Sequence, residues 1–363
     1  MKYFTVGPTE LFPVTKKFIA EAIEYDVLSI SHRSNIFKDF YNTAEDGLRK
    51  LLNIPDSHLI FFYSSATEIM ERIIENCVLK TSYHIINGAF SERFYEIANE
   101  LNKETYLIKI DWGRGFYGED IKGLDKAEVI CITQNETSTG VFIPLEEIYK
   151  IKEKYPDKII AIDIVSSAPY IEIDFSKIDI AFFSVQKGFG LPAGLGVCIL
   201  SRNCIDKAEL IKNQGVSIGS YHNFLNVYNK SLDKQTVETP NVFCIYLLSR
   251  VVNYLIQERL DNITRRVKSN ARKIYEFLDQ SEYFKPFVKE DYFKSYTTIV
   301  IECKIKSNVV LDYLYKNGLV LSNGYGKFEG KHIRIGNFGM HDNSDVNNLL
   351  DLLKNFEENS LKS

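Results

Sequence analysis

Short apolar segments alternate with amphipathic ones between residues 58 and 201, and this alternation constrains the fold more than any other feature of the sequence. The apolar segments have the length and composition of buried β-strands, and the amphipathic segments between them have helical spacing. The predicted strands are 58–63, 83–86, 104–110, 127–133, 158–164, 178–183 and 196–201. Strands joined through helices pair in parallel, because the crossover returns the chain to the same end of the sheet. The sequence therefore predicts an α/β fold in which a large, mostly parallel sheet is flanked by helices on both faces.

The pattern changes near Pro240, which ends a polar and irregular stretch that begins at Ser217. Residues 241–278 then have the spacing of one or two long amphipathic helices. Further strands and helices follow, near residues 297–303, 309–316, 332–335 and 345–358. Because 363 residues can hold two domains, we predict a large domain at residues 1–250, with an N-terminal arm, and a smaller C-terminal α+β domain at residues 251–363.

Charge and cysteine content narrow the classes of function. The chain has 44 basic and 48 acidic side chains, so its field is weak and nucleic acid is not expected as a partner. Six cysteines occur without a Cys-x-x-Cys pair, which predicts free thiols in a cytoplasmic protein and no metal site. They are Cys77, Cys131, Cys198, Cys204, Cys244 and Cys303. No segment has about 18 uninterrupted apolar residues, and the N-terminus does not have the pattern of a secretion signal, so we expect neither a membrane span nor secretion.

Lys187 is the one charged residue in the segment Ala181–Gly196, which is apolar up to Ser184 and rich in glycine and proline after Lys187. A lysine between a buried strand and such a loop loses hydration, which lowers its pKa. The neutral amine can then condense with a carbonyl group. The segment alone also allows an ordinary surface lysine at the end of a strand.

Other polar side chains follow predicted strands, at the sheet edge where ligands of parallel α/β sheets bind. The residues from Ser64 to Thr67 come between a strand and a helix, where free backbone N–H groups suit a phosphate or an ordinary helix cap. Asp163 ends an apolar strand, and a buried carboxylate there needs a cation. His32 and Arg33 form a pair suited to an anionic group or to a solvated helix start. Arg334 lies at the centre of a short strand flanked by glycines.

The order and spacing of these motifs resemble those of the class V aminotransferases, fold type I enzymes that use pyridoxal phosphate, and most nearly their phosphoserine branch. The resemblance runs over nearly the whole chain. The segments that carry it are Gly7-Pro8-Thr9, Ser31–Ser34, Ser64–Thr67, Asn87–Ser91, Asn135–Thr137 with Gly140-Val141, Asp163 with Val165–Ser167, Ser184–Lys187 with Pro192–Gly194, and Thr239-Pro240.

The resemblance implies a role for each cofactor-binding residue. Lys187 would hold pyridoxal phosphate as a Schiff base and shuttle a proton between the substrate α-carbon and the cofactor's C4′, and Asp163 would pair with the pyridine nitrogen. Phe90 would stack on the ring where the phosphoserine branch usually has tryptophan, and Thr137 would contact the phenolic oxygen side. The residues that would bind the cofactor phosphate are Ser65, Ala66, Thr67, Gln186 and, from the second subunit of a homodimer, Thr239. At the position before Thr239 this chain has Glu238 where the family commonly has asparagine.

The resemblance leaves the substrate more open. His32 and Arg33 look like the residues that bind a substrate phosphate, which favours transamination of 3-phosphohydroxypyruvate with glutamate in serine biosynthesis. The segment Ile333–Gly339 looks more like that of alanine–glyoxylate and serine–pyruvate aminotransferases. In both cases Arg334 would bind the substrate α-carboxylate. His332 would donate to a phosphate or serve as a structural histidine.

Two further hypotheses remain at this stage. Cysteine desulfurases tend to have histidine beside the Schiff-base lysine and over the ring, whereas this chain has Gln186 and Phe90. The chain could also be a non-catalytic binding protein with the same fold. The presence of Lys187, Asp163 and Arg334 favours an enzyme.

Overall fold

The computed structural model describes residues 1–360, which form eleven α-helices and fourteen β-strands. The strands are β1 (Lys2–Phe4), β2 (His58–Tyr63), β3 (Thr81–Ile86), β4 (Glu104–Lys109), β5 (Val129–Thr133), β6 (Asn135–Glu136), β7 (Val141–Phe142), β8 (Ile159–Asp163), β9 (Ile180–Ser184), β10 (Gly196–Ser201), β11 (Phe284–Pro286), β12 (Thr298–Cys303), β13 (Leu319–Asn323) and β14 (His332–Gly336). The helices are α1 (Pro13–Glu24), α2 (Asn35–Leu52), α3 (Ala66–Cys77), α4 (Ala89–Glu100), α5 (Leu145–Lys154), α6 (Asn203–Asn213), α7 (Phe224–Ser231), α8 (Val242–Gln257), α9 (Leu260–Gln280), α10 (Ser307–Lys316) and α11 (Asn343–Ser360).

The large sheet has seven strands in the order β2-β10-β9-β8-β5-β3-β4. Only β10 runs antiparallel to its neighbours, so the prediction of a mostly parallel sheet is confirmed. Alternate residues of β5 pack into different cores: Ile130 and Ile132 contact the side that holds α2 and α8, and Val129 and Cys131 contact the side that holds α3 and α4. Helices therefore cover both faces, as the period-two burial of central strands requires.

The small sheet has five strands in the order β1-β13-β14-β12-β11 and packs against α9, α10 and α11. Its first strand comes from the N-terminus, because Lys2–Phe4 pairs in parallel with residues 319–321. The chain therefore begins in the small sheet before it enters the large one. The boundary at residue 250 stays a prediction, and residue 250 lies within α8.

One stretch differs from its prediction. The residues from Ser217 to Thr239, which the sequence indicates are irregular, contain the helix α7. The Asn223 side chain caps its first turn by accepting a hydrogen bond from the backbone N–H of Asn226 at 2.9 Å. Phe224 and Val227 are buried against α3 and β2. A helix this short depends on tertiary packing, because its own hydrogen bonds barely offset the cost of nucleation, and its polar composition conceals that packing.

Candidate active site

Five parallel strands of the large sheet end at the same edge, and the predicted site residues follow them. The segments after β2, β3, β5 and β9 contain Ser65, Phe90, Thr137 and Lys187 respectively, and Asp163 is the last residue of β8. Carboxyl-terminal sheet edges are where open α/β folds bind ligands, because the connecting loops leave a crevice there. Periodicity alone therefore predicts the edge at which the site lies.

Lys187 is buried, with only 6% of its surface exposed. Its Nζ donates hydrogen bonds to Thr137 Oγ1 at 2.6 Å and to Ser166 Oγ at 2.9 Å. Phe90 faces the same amine, with its ring centroid 5.4 Å from Nζ. A Cβ on Gly7 would lie 2.8 Å from Lys187 Cε, so the N-terminal segment closes over the lysine stem. The amine is therefore held by hydroxyl groups and shielded from water.

Burial lowers the pKa of Lys187 to about 8, while the negative charges of Asp163 and Glu136 raise it and Arg334 lowers it further. Burial also raises the pKa of Asp163 to about 7, although a hydrogen bond from the backbone N–H of Val165 (2.8 Å) and the charge of Lys187 oppose that shift. Near neutral pH a fraction of the lysine is a neutral amine. These are the properties expected of a nucleophile and of a carboxylate whose burial outweighs the charge of a nearby lysine.

The segment from Ser64 to Thr67 forms the start of α3. The Ser65 side chain accepts the backbone N–H of Glu68 at 3.1 Å, and the Ala66 N–H donates to Ser184 Oγ at 2.8 Å. Thr67 is exposed. The helix end thus presents small and hydroxylated residues beside the positive end of the helix dipole, which suits a phosphate.

Gln186 is half-buried next to Lys187, and its backbone carbonyl accepts the N–H of Thr9 at 3.0 Å. This bond fixes the N-terminal segment against the lysine loop. Thr239 is exposed and lines a cavity of about 340 Å³ that also contains Ser64 and Glu68 of the α3 start. Its segment is therefore beside the proposed phosphate-binding turn within a single chain.

Arg334 approaches the same site from β14 of the small sheet. Its Nε donates to the carbonyl of Asn323 at 2.8 Å, and its Nη1 is 3.5 Å from the carbonyl of Thr137. The guanidinium lies over the ring of Tyr325, 5.3 Å from the centroid, and the Tyr325 ring is 5.6 Å from that of Phe90. Partial burial lowers the pKa of Arg334 without removing its charge. The site thus combines a lysine and an arginine from different sheets.

His332 and the His32–Arg33 pair have different surroundings. His332 is buried against Phe328, with ring centroids 4.2 Å apart, and burial lowers its pKa to about 4. This packing favours a structural histidine, and its contact with substrate stays a prediction. Arg33 is exposed and donates through Nη1 to Gln235 Oε1 at 2.6 Å and to the Thr236 carbonyl at 3.0 Å.

His32 lies next to Arg33 and is half-buried. Its ring packs edge-to-face with that of Phe37, and the ring centroids are 6.5 Å apart. Burial and the adjacent guanidinium lower its pKa. The contacts of this pair are with α2 and with the segment before Thr239. They are separate from the group that surrounds Lys187.

Three residues near the site do not appear among the sequence candidates. Ser166 binds the Lys187 amine, Glu136 is fully buried beside Thr137, and His222 lies between Glu68 and Glu238. Ser166 and Glu136 belong to segments that carry the family resemblance. Their positions close to Asp163 and Thr137 in the sequence could therefore have identified them as site residues. His222 lies in the stretch from Ser217 to Thr239, and its sequence neighbours do not indicate its partners.

Within residues 1–360, His, Cys, Asp and Glu side chains form no group of three that could hold a metal ion. The six cysteines are free thiols. None of the helices in the described part of the chain is both long and apolar enough to cross a bilayer.

Comparison with known proteins relates this geometry to one family. Residues 8–329 match the model of the family Aminotransferase class-V. A solved phosphoserine aminotransferase from Cytophaga hutchinsonii is 42% identical, covers 98% of both chains and has a TM-score of 0.96. A phosphoserine aminotransferase from Rhodococcus opacus is 27% identical over 95% of this chain and 92% of its own length. An alanine–glyoxylate aminotransferase from Nostoc is 20% identical, covers 97% of this chain and 94% of its own, and shares the fold with a TM-score of 0.84.

The residues at the sheet edge fit pyridoxal phosphate. Lys187 is a buried amine with a lowered pKa, as an aldehyde requires. Asp163 is a buried carboxylate with a raised pKa, which a protonated ring nitrogen would offset. Phe90 offers an aromatic face beside the amine, and the start of α3 offers donors for a phosphate.

Proposed function

The chain belongs to the class V aminotransferases, and on that premise we propose that it transfers the amino group of glutamate to 3-phosphohydroxypyruvate, giving phosphoserine and 2-oxoglutarate in serine biosynthesis. The observation that carries the proposal is the 42% identity, over 98% of both chains, with a phosphoserine aminotransferase. The lysine-centred cluster at the sheet edge supports the reaction type. Free thiols support a cytoplasmic location.

The cofactor in this proposal is pyridoxal phosphate, which supplies an aldehyde that condenses with amines and a ring that withdraws electrons. Lys187 would anchor it covalently, and Asp163 would hold its ring nitrogen in the protonated form. Phe90 would cover one face of the ring. Ser65, Ala66 and Thr67, together with Gln186, would hold the phosphate at the start of α3.

Lys187 and Arg334 act on different groups of the substrate. The Lys187 amine takes the proton from the substrate α-carbon, and the hydroxyl groups of Thr137 and Ser166 orient it. Arg334 binds the α-carboxylate with two parallel hydrogen bonds, and its bond to the Asn323 carbonyl holds the guanidinium in place. The N-terminal segment excludes water from the lysine stem.

We further propose a homodimer in which each chain completes the site of the other. Thr239 would then reach the cofactor phosphate of the second chain, and His32 and Arg33 would bind its substrate phosphate. The contacts of Arg33 with Gln235 and Thr236 place its guanidinium beside the segment that carries Thr239, so the two residues would act at the same site.

Steady-state kinetics of Arg33→Ala test the phosphate role. Loss of a charged hydrogen bond costs about 1.5–3 kcal/mol, so kcat/KM for phosphoserine should fall roughly ten- to a hundredfold. The rate with alanine, which has no phosphate, should stay near that of the wild type. Arg272→Ala, an exposed substitution on α9, is the matched control.

The same assay separates the alternative. Wild-type kcat/KM for phosphoserine with 2-oxoglutarate should exceed the values for alanine with glyoxylate and for serine with pyruvate. Faster turnover of alanine or serine would replace the proposal by an alanine–glyoxylate or serine–pyruvate activity, which the segment Ile333–Gly339 favours. An unchanged phosphoserine rate in Arg33→Ala would remove the phosphate role.

A further inference from the structure

The helix α4 carries Phe90 in its first turn but has no side chain of its own to cap it, because the preceding residue is Gly88. The first three backbone N–H groups of the helix donate instead to side chains of the β6–β7 hairpin. Ala89 donates to Ser138 Oγ at 2.9 Å, Phe90 to Glu136 Oε2 at 3.1 Å, and Ser91 to the same oxygen at 2.9 Å. The hairpin therefore caps a helix that begins almost 50 residues earlier in the chain.

Glu136 is fully buried, and a buried carboxylate destabilises the fold unless donors surround it. Besides the two helix N–H groups, Oε1 accepts the backbone N–H of Ser138 at 3.1 Å and its hydroxyl at 2.7 Å. The positive end of the α4 dipole adds to these bonds. A Cβ on Gly88 would lie 2.3 Å from Glu136 Cγ, so only glycine allows this approach.

The residue between these two capping side chains is Thr137, which contacts the catalytic lysine. Its hydroxyl accepts from Lys187 Nζ at 2.6 Å, and its carbonyl lies 3.5 Å from Arg334 Nη1. Three consecutive residues therefore connect the aromatic ring of Phe90, the lysine amine and the arginine. A displacement of Glu136 would change the separation of the ring and the amine.

We propose that Glu136 is a positioning residue that fixes Phe90 relative to Lys187 and that it also supplies a second buried negative charge to the site, next to that of Asp163. The positioning part rests on the proposed role of Phe90 as the residue that covers the cofactor. The charged groups that face Lys187 are Asp163 and Glu136, which raise its pKa, and Arg334, which lowers it.

The charge role predicts a direction for the pKa of Lys187. Removal of the Glu136 charge destabilises the ammonium form, so the pKa of Lys187 should fall by about one unit. Loss of the Ser138 hydroxyl removes a cap but no charge, so the same pKa should stay where it is. If Glu136 had a purely structural role, its substitution would lower the stability of the fold and leave the pKa of Lys187 unchanged.

The charge role is tested in the full-length chain freed of cofactor, with Glu136→Gln, Ser138→Ala and the exposed control Glu146→Gln. Acetic anhydride labelling between pH 6 and 10, followed by mass spectrometry of the Lys187 peptide, gives the pH midpoint of the amine. Glu136→Gln should move that midpoint about one unit lower than wild type. An unmoved midpoint in folded Glu136→Gln, or an equal shift in Ser138→Ala, would overturn the charge role.

The positioning role is tested with Gly88→Ala, which displaces Glu136 without removing its charge. The visible circular dichroism of added pyridoxal phosphate should weaken in this variant, because a displaced Glu136 no longer holds Phe90 in place beside Lys187. Unaltered dichroism would overturn the positioning role, and this variant also decides the proposal should Glu136→Gln not fold. Neither readout requires transamination, so a failure of the proposed substrate leaves both results interpretable.

Discussion

Single residues of this site owe their chemistry to burial. Lys187 keeps two hydroxyl partners but little water, and its pKa falls to about 8. Asp163 loses water as well, and its pKa rises to about 7. Both shifts have the sign that desolvation gives, because burial disfavours the charged form of either group. A cofactor that brings a ring cation to Asp163 and an aldehyde to Lys187 would offset the free energy that burial costs each of these two groups.

Replacement of Lys187 by arginine tests the anchor. A guanidinium stays protonated and cannot condense with an aldehyde, so borohydride treatment of the variant incubated with pyridoxal phosphate should leave position 187 unmodified. Transamination should fall roughly a hundred- to ten-thousand-fold. Mass spectrometry of the peptide that contains residue 187 and an amino-transfer assay measure the two effects.

The exposed substitution Lys122→Arg is the control and should keep both the modification at Lys187 and the activity. Wild-type protein in which borohydride fixes the cofactor at a lysine other than Lys187 would contradict the assignment.

Among the secondary-structure elements, α3 and the segment before Pro240 are joined through a charged histidine. His222 binds Glu68 of α3 through Nδ1 and Glu238 through Nε2, the latter at 2.5 Å. Burial opposes its charge, but the two carboxylates raise the pKa of His222 to about 9. Burial also opposes the charge of Glu68, yet hydrogen bonds from His222 and Ser64 lower the pKa of that carboxyl to about 2. The rings of Tyr221 and Tyr63 cover the imidazole.

The contribution of His222 to the free energy of unfolding depends on pH. Because the folded-state pKa of His222 lies above the ordinary value of 6.5, the stability that its charge contributes is complete below about pH 6.5 and disappears as the pH rises through about 9. For Glu68 the sign is opposite, and its contribution is lost as the pH falls from 4.5 toward about 2. The melting temperature of wild type should therefore exceed that of His222→Gln most between pH 4.5 and 6.5.

Thermal unfolding of the two proteins at pH 5.5, 7.5 and 9.5 measures this difference. His341→Gln is a useful comparison, because burial lowers the pKa of His341 and its ring bonds the N–H of Phe338 and the carbonyl of Tyr3 instead of two carboxylates. If the difference in melting temperature between wild type and His222→Gln stays constant up to pH 9.5, the charge of His222 does not contribute to stability.

The whole molecule is proposed to act as a pair of chains, which predicts complementation between an inactive and an impaired variant. In a mixed dimer of Lys187→Ala and Arg33→Ala, one site would combine an intact Lys187 with an intact Arg33 from the other chain. Unfolding and refolding an equal mixture should then recover about a quarter of wild-type phosphoserine activity, because about half of the dimers are mixed and each has one intact site.

Each variant refolded alone is the control for this experiment. If Arg33 acts within its own chain, every site of the mixed dimer has one defect, and the mixture shows no more activity than Arg33→Ala refolded alone. Light scattering of the wild type measures the oligomeric state independently.

Whether an element could be predicted from the sequence depends on how close in the chain the residues that stabilise it lie. The strands His58–Tyr63 and Gly196–Ser201 agree with their predicted bounds, because the apolar composition that marks them is local. The strand Lys2–Phe4 and the helix α7 were not predicted, because the partners that stabilise them are distant in the chain. The neighbours of Lys187 mark it as a candidate, and the family resemblance selects it over a surface lysine.

The sequence by itself determined the alternation of strands and helices and the sheet edge at which the site lies, because hydrophobic period and local composition encode these features directly. Its resemblance to the family then selected the lysine at the centre of the site. Only the tertiary structure decided that Glu136 and Ser138 cap the helix of Phe90, that Ser166 holds the lysine amine, and that His222 joins two carboxylates. These contacts pair residues 16 to 154 positions apart, and both burial and charge pairing depend on distance in space.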